Sequence, residues 1–420
     1  MNILKIAECG MRNLKSHRVK AIFPIIYLLS VCVFWKIEKN HIPEFTLLPL
    51  PQLYMWIFNI IMVVLEIIGT VAVLALLGIY IHGQEMKLSK IHYGEKMSAP
   101  KVVSICRKGG MKTYTLFSEQ IPLSVYKKKQ EQIETALKMY VQIKAGKDNQ
   151  HTIVTGTSSN KPLPNLIEWN NSYLSQDDFV LNLGVNKSTR KKESIDISSK
   201  PHILLGGGTG SGKTVLLKLL LFQCLHKGAE VKICDFKGGV DFSKGWHEKC
   251  DFITSEEEMK ELLKKAVNIL EERQKVLAKI DNCTNIQEYN TYAETQWKRI
   301  IIACDEIAEV LDTTGKTKEQ KALITELEGL MLTLARKGRF AGIHLICATQ
   351  RPSADVINSD IKANLGHRIC GRCDSILSKI ILDNTDGAEM VSQDSQGLFL
   401  TNTDALFKAY YLRDDCFDME

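Results

Sequence analysis

Hydrophobic and polar positions divide this chain into three kinds of stretch. Residues 21–35 carry no charge, and residues 53–81 are mostly apolar with Glu66 as their only charge; both suit membrane spans, which need about 17–25 apolar residues. The first is short and contains Pro24, but Val19 and Ile37 lengthen it, and Lys20 and Lys36 can snorkel to the interfaces. The predicted spans are therefore residues 19–37 and 53–81. No small-residue cleavage site follows Trp35 and a second span comes soon after, so the pattern reads as an anchor rather than a signal peptide. Residues 82–101 are polar and basic, as expected of a linker beside an anionic leaflet.

The second kind of stretch consists of short alternating runs. Residues 101–117 read as one or two strands, residues 123–140 have helical periodicity with a charged face, and residues 140–144 and 152–155 read as further strands. Residues 160–177, with Pro162 and Pro164, read as a loop. The third kind begins near residue 179, where buried strands alternate with helices, among them a strand at 230–236, a charged amphipathic helix at 255–280 and strands at 299–304 and 342–350. This predicts an α/β unit with a parallel sheet, right-handed crossovers and a ligand at the carboxyl ends of its strands. Three regions result: an anchor with its basic linker at 1–99, a small α+β adaptor at 100–178, and an α/β unit at 179–420.

Composition changes this picture little. With 420 residues, 45% of them apolar, the chain can bury a large core, and a length of about 150 residues per domain agrees with two or three units. The net charge of +6 permits an anionic partner without arguing for one. Its distribution says more. Lys5, Arg12, Lys15, Arg18 and Lys20 precede the first span, residues 36–52 are balanced, and Lys87, Lys90, Lys96 and Lys101 follow the second. Both ends of the chain are therefore expected in the cytoplasm, with the protein crossing the cell membrane twice. Glu66 is costly inside a span unless it faces a partner helix or is protonated. The run Lys127-Lys128-Lys129 reads as a solvated helix face. Cys234, Cys304, Cys347 and Cys370 lie in apolar strand-like runs, where a thiol is a small hydrophobe in a reducing compartment. Cys370 and Cys373 form a single C-x-x-C without a second pair or a suitably spaced His, which favours plain thiols over a zinc site.

The chemistry is concentrated in residues 202–214, HILLGGGTGSGKT, an apolar strand that runs into a glycine-rich loop. Gly207, Gly212, Lys213 and Thr214 fit the G-x-x-x-x-G-K-[ST] spacing, and Gly208, Thr209, Gly210 and Ser211 keep side chains small so that backbone N–H groups can wrap an anion. Lys213 is expected to reach the β- and γ-phosphates of ATP and Thr214 to place its hydroxyl on Mg²⁺, while the helix over residues 215–226 points its positive end at the phosphates. The buried strand at 299–304 ends in Asp305-Glu306. An aspartate there can hold Mg²⁺ through water, and the following glutamate can polarise the water that attacks the γ-phosphate. The strand at 342–350 ends in Gln350 on the same rim, where it can sense that phosphate.

These segments carry a family resemblance. GGGTGSGKT, IIACDEIAEV and above all GIHLICATQRPSADVINSDIKANLGHRI resemble the FtsK/SpoIIIE family of DNA-pumping ATPases, and ILEERQKVLAKIDNCTNIQEYN is similar to that family too. The resemblance covers about residues 179–412. It implies a RecA-like motor domain, a ring of six subunits and ATP-driven movement of DNA. It also implies an arginine that one subunit supplies to its neighbour's nucleotide. Arg339 matches a basic position of the family, with Arg336 and Arg368 as alternatives, and each can equally make salt bridges or contact DNA phosphates.

The chain departs from the cell-division translocases in having two spans, a short linker and no sequence-reading domain before Glu420. In this it looks more like the TcpA-type coupling proteins of Gram-positive conjugative elements. The resemblance thus implies a membrane-anchored translocase that passes DNA from a relaxase complex to conjugation channel proteins. Two other readings stand beside it. A protein-secretion ATPase of the same superfamily would usually carry several tandem motors, and a docking receptor that uses ATP only as a switch would not need Lys213, Asp305 and Glu306 together.

Overall fold

The computed structural model describes residues 3–16, 36, 51–108, 110–157, 163–350 and 358–417. They divide into two compact units, Met1–Lys161 and Pro162–Glu420.

In the first unit, α1 (Ile3–Ser16) and α2 (Pro51–Leu88) precede β1 (Lys101–Lys108), β2 (Met111–Phe117), α3 (Leu123–Lys128), α4 (Gln130–Leu137), β3 (Val141–Ala145) and β4 (His151–Thr157). The strands form an antiparallel sheet in the order β1-β2-β4-β3. Among the described residues, Asn59–Leu88 is one helix long and apolar enough to cross a membrane by length and composition. The first predicted span, residues 19–37, lies outside the described residues apart from Lys36.

Two local expectations need correction, and one helix is added. The linker expected at 82–101 is helical as far as Leu88, because Ile81, Leu88 and Tyr93 bury themselves in the core of this unit with Leu116, Tyr126 and Ile133. The helix expected at 123–140 is two helices that meet at Lys129, whose φ −95°, ψ 12° leaves the helical region. The basic N-terminus itself folds as α1, pressed so closely on α2 that a Cβ at Gly10 would lie 1.9 Å from Leu74 O and one at Gly78 1.9 Å from Ile6 O.

The second unit contains β5 (Val180–Asn186), β6 (Lys192–Asp196), β7 (Ile203–Gly206), α5 (Lys213–His226), β8 (Glu230–Cys234), α6 (Lys244–Lys249), β9 (Asp251–Ile253), α7 (Glu256–Leu277) and α8 (Ile286–Tyr292). After these come β10 (Ile300–Cys304), α9 (Ile307–Leu311), α10 (Lys318–Ala341), β11 (Ile343–Thr349), α11 (Ser359–Asn364), β12 (His367–Cys370), α12 (Ser375–Leu382), α13 (Asp386–Met390), β13 (Leu398–Thr401) and β14 (Leu406–Ala409). One ten-stranded sheet runs β6-β5-β14-β13-β12-β7-β11-β10-β8-β9.

The sheet is mixed rather than wholly parallel. Strands β12, β7, β11, β10, β8 and β9 are parallel, and β13, β14, β5 and β6 add an antiparallel flank. The short connections from β5 to β6 and from β13 to β14 permit only antiparallel pairing, and Arg190 and Asp404 take positive φ within them. The parallel strands are buried on both faces. Met259 and Leu263 of α7 and Leu327 and Leu334 of α10 cover one face with Ile302 and Leu345. Leu216, Leu217 and Leu220 of α5 cover the other with Ile233, Ala303 and Ile346. Ser255 caps α7 by accepting the Glu258 N–H, and Thr317 with Gln320 forms a capping box on α10. By contrast, α5 has no side-chain cap at all.

Candidate nucleotide site

The first turn of α5 is left open at the carboxyl edge of the parallel strands. Gly210 and Gly212 adopt φ +72° and +95°, conformations that side-chain-bearing residues rarely take. Neighbouring backbone pins the loop from below. Gly207 N–H donates to Thr349 O at 3.3 Å, Gly208 N–H to Arg372 O at 2.8 Å, and Gly397 N–H to Ser211 O at 2.8 Å. Among the described residues, the N–H groups of Thr209, Gly210, Gly212, Lys213 and Thr214 find no acceptor. A row of unpaired amides at a helix N-terminus is a receptor for an anion.

Lys213 and Asp305 form a buried pair at the floor of this nest. Lys213 is 4% exposed and Asp305 2%; Lys213 Nζ donates to Asp305 Oδ1 at 2.9 Å and to Asp305 O at 2.6 Å. The Thr214 hydroxyl stands 3.4 Å from Asp305 Oδ1, and Lys237 Nζ lies 4.0 Å from Oδ2. Hard oxygens in this arrangement suit Mg²⁺, which takes one or two protein oxygens and keeps water for the rest.

Glu306 is tied to the tip of β11. Its Oε1 accepts the Thr349 hydroxyl at 2.7 Å and the Ala308 N–H at 3.3 Å, and its Oε2 accepts the Gln350 N–H at 2.8 Å. Gln350 Oε1 in turn accepts the Thr209 hydroxyl at 3.1 Å. Glycine loop, acidic strand end and sensor strand are therefore one hydrogen-bonded assembly.

Arg339 is not part of it within the chain. It ends α10 and precedes β11, so the whole length of that strand separates it from Gln350, and it borders a cavity with Arg299, Asn285 and Gln287. Arg336 pairs with Asp360 at 2.8 Å, and Arg368 is held by Asp383 and by the carbonyls of Lys362 and Leu365. The segment from Arg351 to Ile357 lies outside the described residues.

Sequence reasoning passed over two residues here. Arg372, between the two cysteines of the C-x-x-C, donates from Nη2 to Thr209 O at 2.7 Å and props the loop with its own carbonyl. Asp235 ends β8 beside Asp305, as Asp305 ends β10. The thiols of Cys370 and Cys373 lie 3.3 Å apart and buried, and among the described residues no third ligand joins them.

An open-ended anion nest, a lysine–aspartate pair and a glutamate wired to a polar sensor, all on the carboxyl edge of a parallel sheet, define a P-loop ATPase fold. The FtsK/SpoIIIE family profile matches residues 162–354. The DNA translocase FtsK of Streptococcus pneumoniae is 28% identical over 262 residues, 57% of this chain and 31% of that protein. That of Clostridium acetobutylicum is 34% identical over 216 residues, 49% of this chain and 27% of that protein. The chain thus spans less than a third of the length of these curated relatives. A solved structure covers far more. The pCW3 conjugation coupling protein TcpA, in a monomer form with ATPγS, is 32% identical with a TM-score of 0.59, over 80% of this chain and 96% of that one. The chain belongs to the FtsK/SpoIIIE family of P-loop ATPases, and it is similar to a conjugation coupling protein along nearly all of that protein's solved length.

Proposed function

We propose that this protein is a membrane-anchored, ATP-driven DNA translocase that acts as a coupling protein, delivering plasmid or integrative-element DNA to a conjugative transfer channel. The observation that carries the reading is the joining of Lys213, Thr214, Asp305, Glu306 and Gln350 in one site, in a chain that over 80% of its length matches 96% of a solved coupling protein.

The residues divide the work as follows. The amides of residues 207–214 hold the phosphates of ATP. Lys213, whose charge Asp305 balances at 2.9 Å, turns to the β- and γ-phosphates when these compete for it. With Lys213 on the phosphates, Asp305 and Thr214 are the residues that would hold Mg²⁺. Held there, the ion would supply positive charge against the phosphate oxygens. Glu306, oriented by Thr349 and the Gln350 N–H, takes a proton from the attacking water, and Gln350 reports the γ-phosphate to Thr209. In a six-membered ring Arg339 serves a neighbouring subunit's nucleotide. Two spans hold the chain in the cell membrane with both termini cytoplasmic. A relaxase complex brings the DNA and channel proteins receive it.

Measuring nucleotide binding and turnover separately on the full chain tests the site. Lys213→Ala is expected to lose binding. Glu306→Gln is expected to keep ATP bound while turnover falls by about a hundredfold or more. Wild-type turnover in Glu306→Gln overturns the assignment.

A further inference from the structure

One buried carboxylate at the edge of the sheet is only half used inside the protein. Asp235 is 3% exposed. Its Oδ1 accepts the Lys237 N–H at 2.9 Å and closes a short turn. Its Oδ2 is buried and meets no donor among the described residues. Leaving a buried acceptor unsatisfied is costly, and more so when it is charged, so this oxygen calls for a donor that arrives with a ligand.

Its position says which ligand. Strands β8 and β10 are parallel neighbours with Cys234 opposite Cys304, and the Asp305 N–H donates to Cys234 O at 3.3 Å. The two aspartates are thus adjacent across the ladder, where strands lie about 4.8 Å apart. Cys234 and Cys304 point into one core, whereas Ile233 and Ala303 point into the core beneath α5. Alternation along a strand therefore turns both aspartate side chains toward the α5 face. Asp305 is found there, bonded to Lys213 and beside Thr214. Both nearby ammonium groups, of Lys213 and Lys237, are directed at Asp305 instead of Asp235 Oδ2.

We propose that Asp235 is a further acidic group of the magnesium site, its Oδ2 accepting a hydrogen bond from a water in the hydration shell of the ion that Asp305 and Thr214 face. The inference rests on the nucleotide-site reading above. Mg²⁺ dehydrates reluctantly and keeps several waters at such sites. Those waters are strong donors, and outer carboxylates that receive them fix the ion's orientation. Asp235 is in this sense a positioning residue. The two oxygens have separate uses, one for the turn and one for the ion. Asp235→Asn separates them, because the amide keeps Oδ1 for Lys237 and places an N–H₂ donor where Oδ2 was.

The test uses the full-length chain in detergent and a fluorescent methylanthraniloyl derivative of ATP, titrated with and without Mg²⁺. The wild type is expected to bind more tightly with Mg²⁺. In Asp235→Asn that metal-dependent gain is expected to shrink about tenfold, in a protein that still melts cooperatively without nucleotide. An equal metal-dependent gain in variant and wild type overturns the inference. So does a uniform loss of affinity with and without the metal, which would reduce Asp235 to a support for the turn. A wild type that binds no nucleotide fails the nucleotide-site reading itself and takes the inference with it. Should the Asn protein not fold, Asp235→Ser, which keeps an oxygen for the Lys237 N–H, replaces it and is judged by the same outcomes.

Discussion

At the scale of single residues, the site stores its charges in a closed form. The Lys213 side chain is 3% exposed and that of Asp305 2%, so each neutralises the other away from water. Removing one partner of such a pair leaves a buried charge behind. Lys213→Ala is therefore expected to lower the stability of the nucleotide-free protein by roughly 3 kcal/mol, with Lys237, 4.0 Å from Asp305 Oδ2, offsetting part of the loss. Adding Asp305→Asn should restore most of that stability without restoring nucleotide binding. Denaturant midpoints of the wild type, the single variant and the double variant check this, and an unchanged midpoint for Lys213→Ala contradicts it. The residues of this site that the sequence disclosed are those whose meaning is local. Lys213 and Thr214 stand in a fixed spacing, and Asp305-Glu306 and Gln350 end apolar runs of strand length. Asp235 also ends such a run, but as a single acid it has no spacing to mark it. Its significance lies in the register of Cys234 against Cys304, a contact between residues far apart in the chain. Arg372 was hidden in the same way, inside a motif legible only as two cysteines.

At the scale of elements, the alternation of strands and helices was legible because each element carries its own periodicity and caps. The antiparallel flank was not, because β13 and β14 are four residues each and too short to show a pattern. Helix α1 has a clear amphipathic period, with Ile6, Ala7 and Cys9 buried while Lys5 and Glu8 are exposed, but its basic residues speak equally for membrane orientation, and the face it packs on shows only in the fold. Packing also decides how the strands respond to acid. His202 precedes β7 and His344 lies in β11, both fully buried. His344 Nδ1 must donate to Pro201 O at 2.9 Å, which leaves Nε2 to accept from Arg299 at 3.1 Å, so the ring is neutral. Burial pushes His202 down to about 4. Burial and the Arg299 charge hold His344 well below the usual imidazole range. In the unfolded chain both titrate near about 6.5. As pH falls through that value the unfolded chain takes up protons that the folded chain refuses, so stability present above it is lost toward pH 4, by about 3 kcal/mol for His202 alone. The thermal midpoint should fall across this window. His202→Asn, whose Oδ1 can accept the Leu345 N–H that His202 Nδ1 takes at 2.9 Å, should lose part of the slope. A midpoint that is flat with pH contradicts the packing described.

At the scale of the whole molecule, the question is what the ATP site drives. A motor that follows the DNA backbone holds phosphates through Lys and Arg, so its affinity should fall steeply with salt and depend little on base sequence. The net charge of +6 is compatible with such a grip but too small to demonstrate it. The measurement that bears most directly on the proposal is the ATPase rate of the assembled full-length protein against added DNA of varied sequence and strandedness, across a salt series at fixed ATP. Expected is stimulation by DNA of any sequence that declines with salt along the same curve as DNA binding. If no DNA raises the rate even at low salt, in protein shown to be assembled and to bind nucleotide, the translocase reading is contradicted.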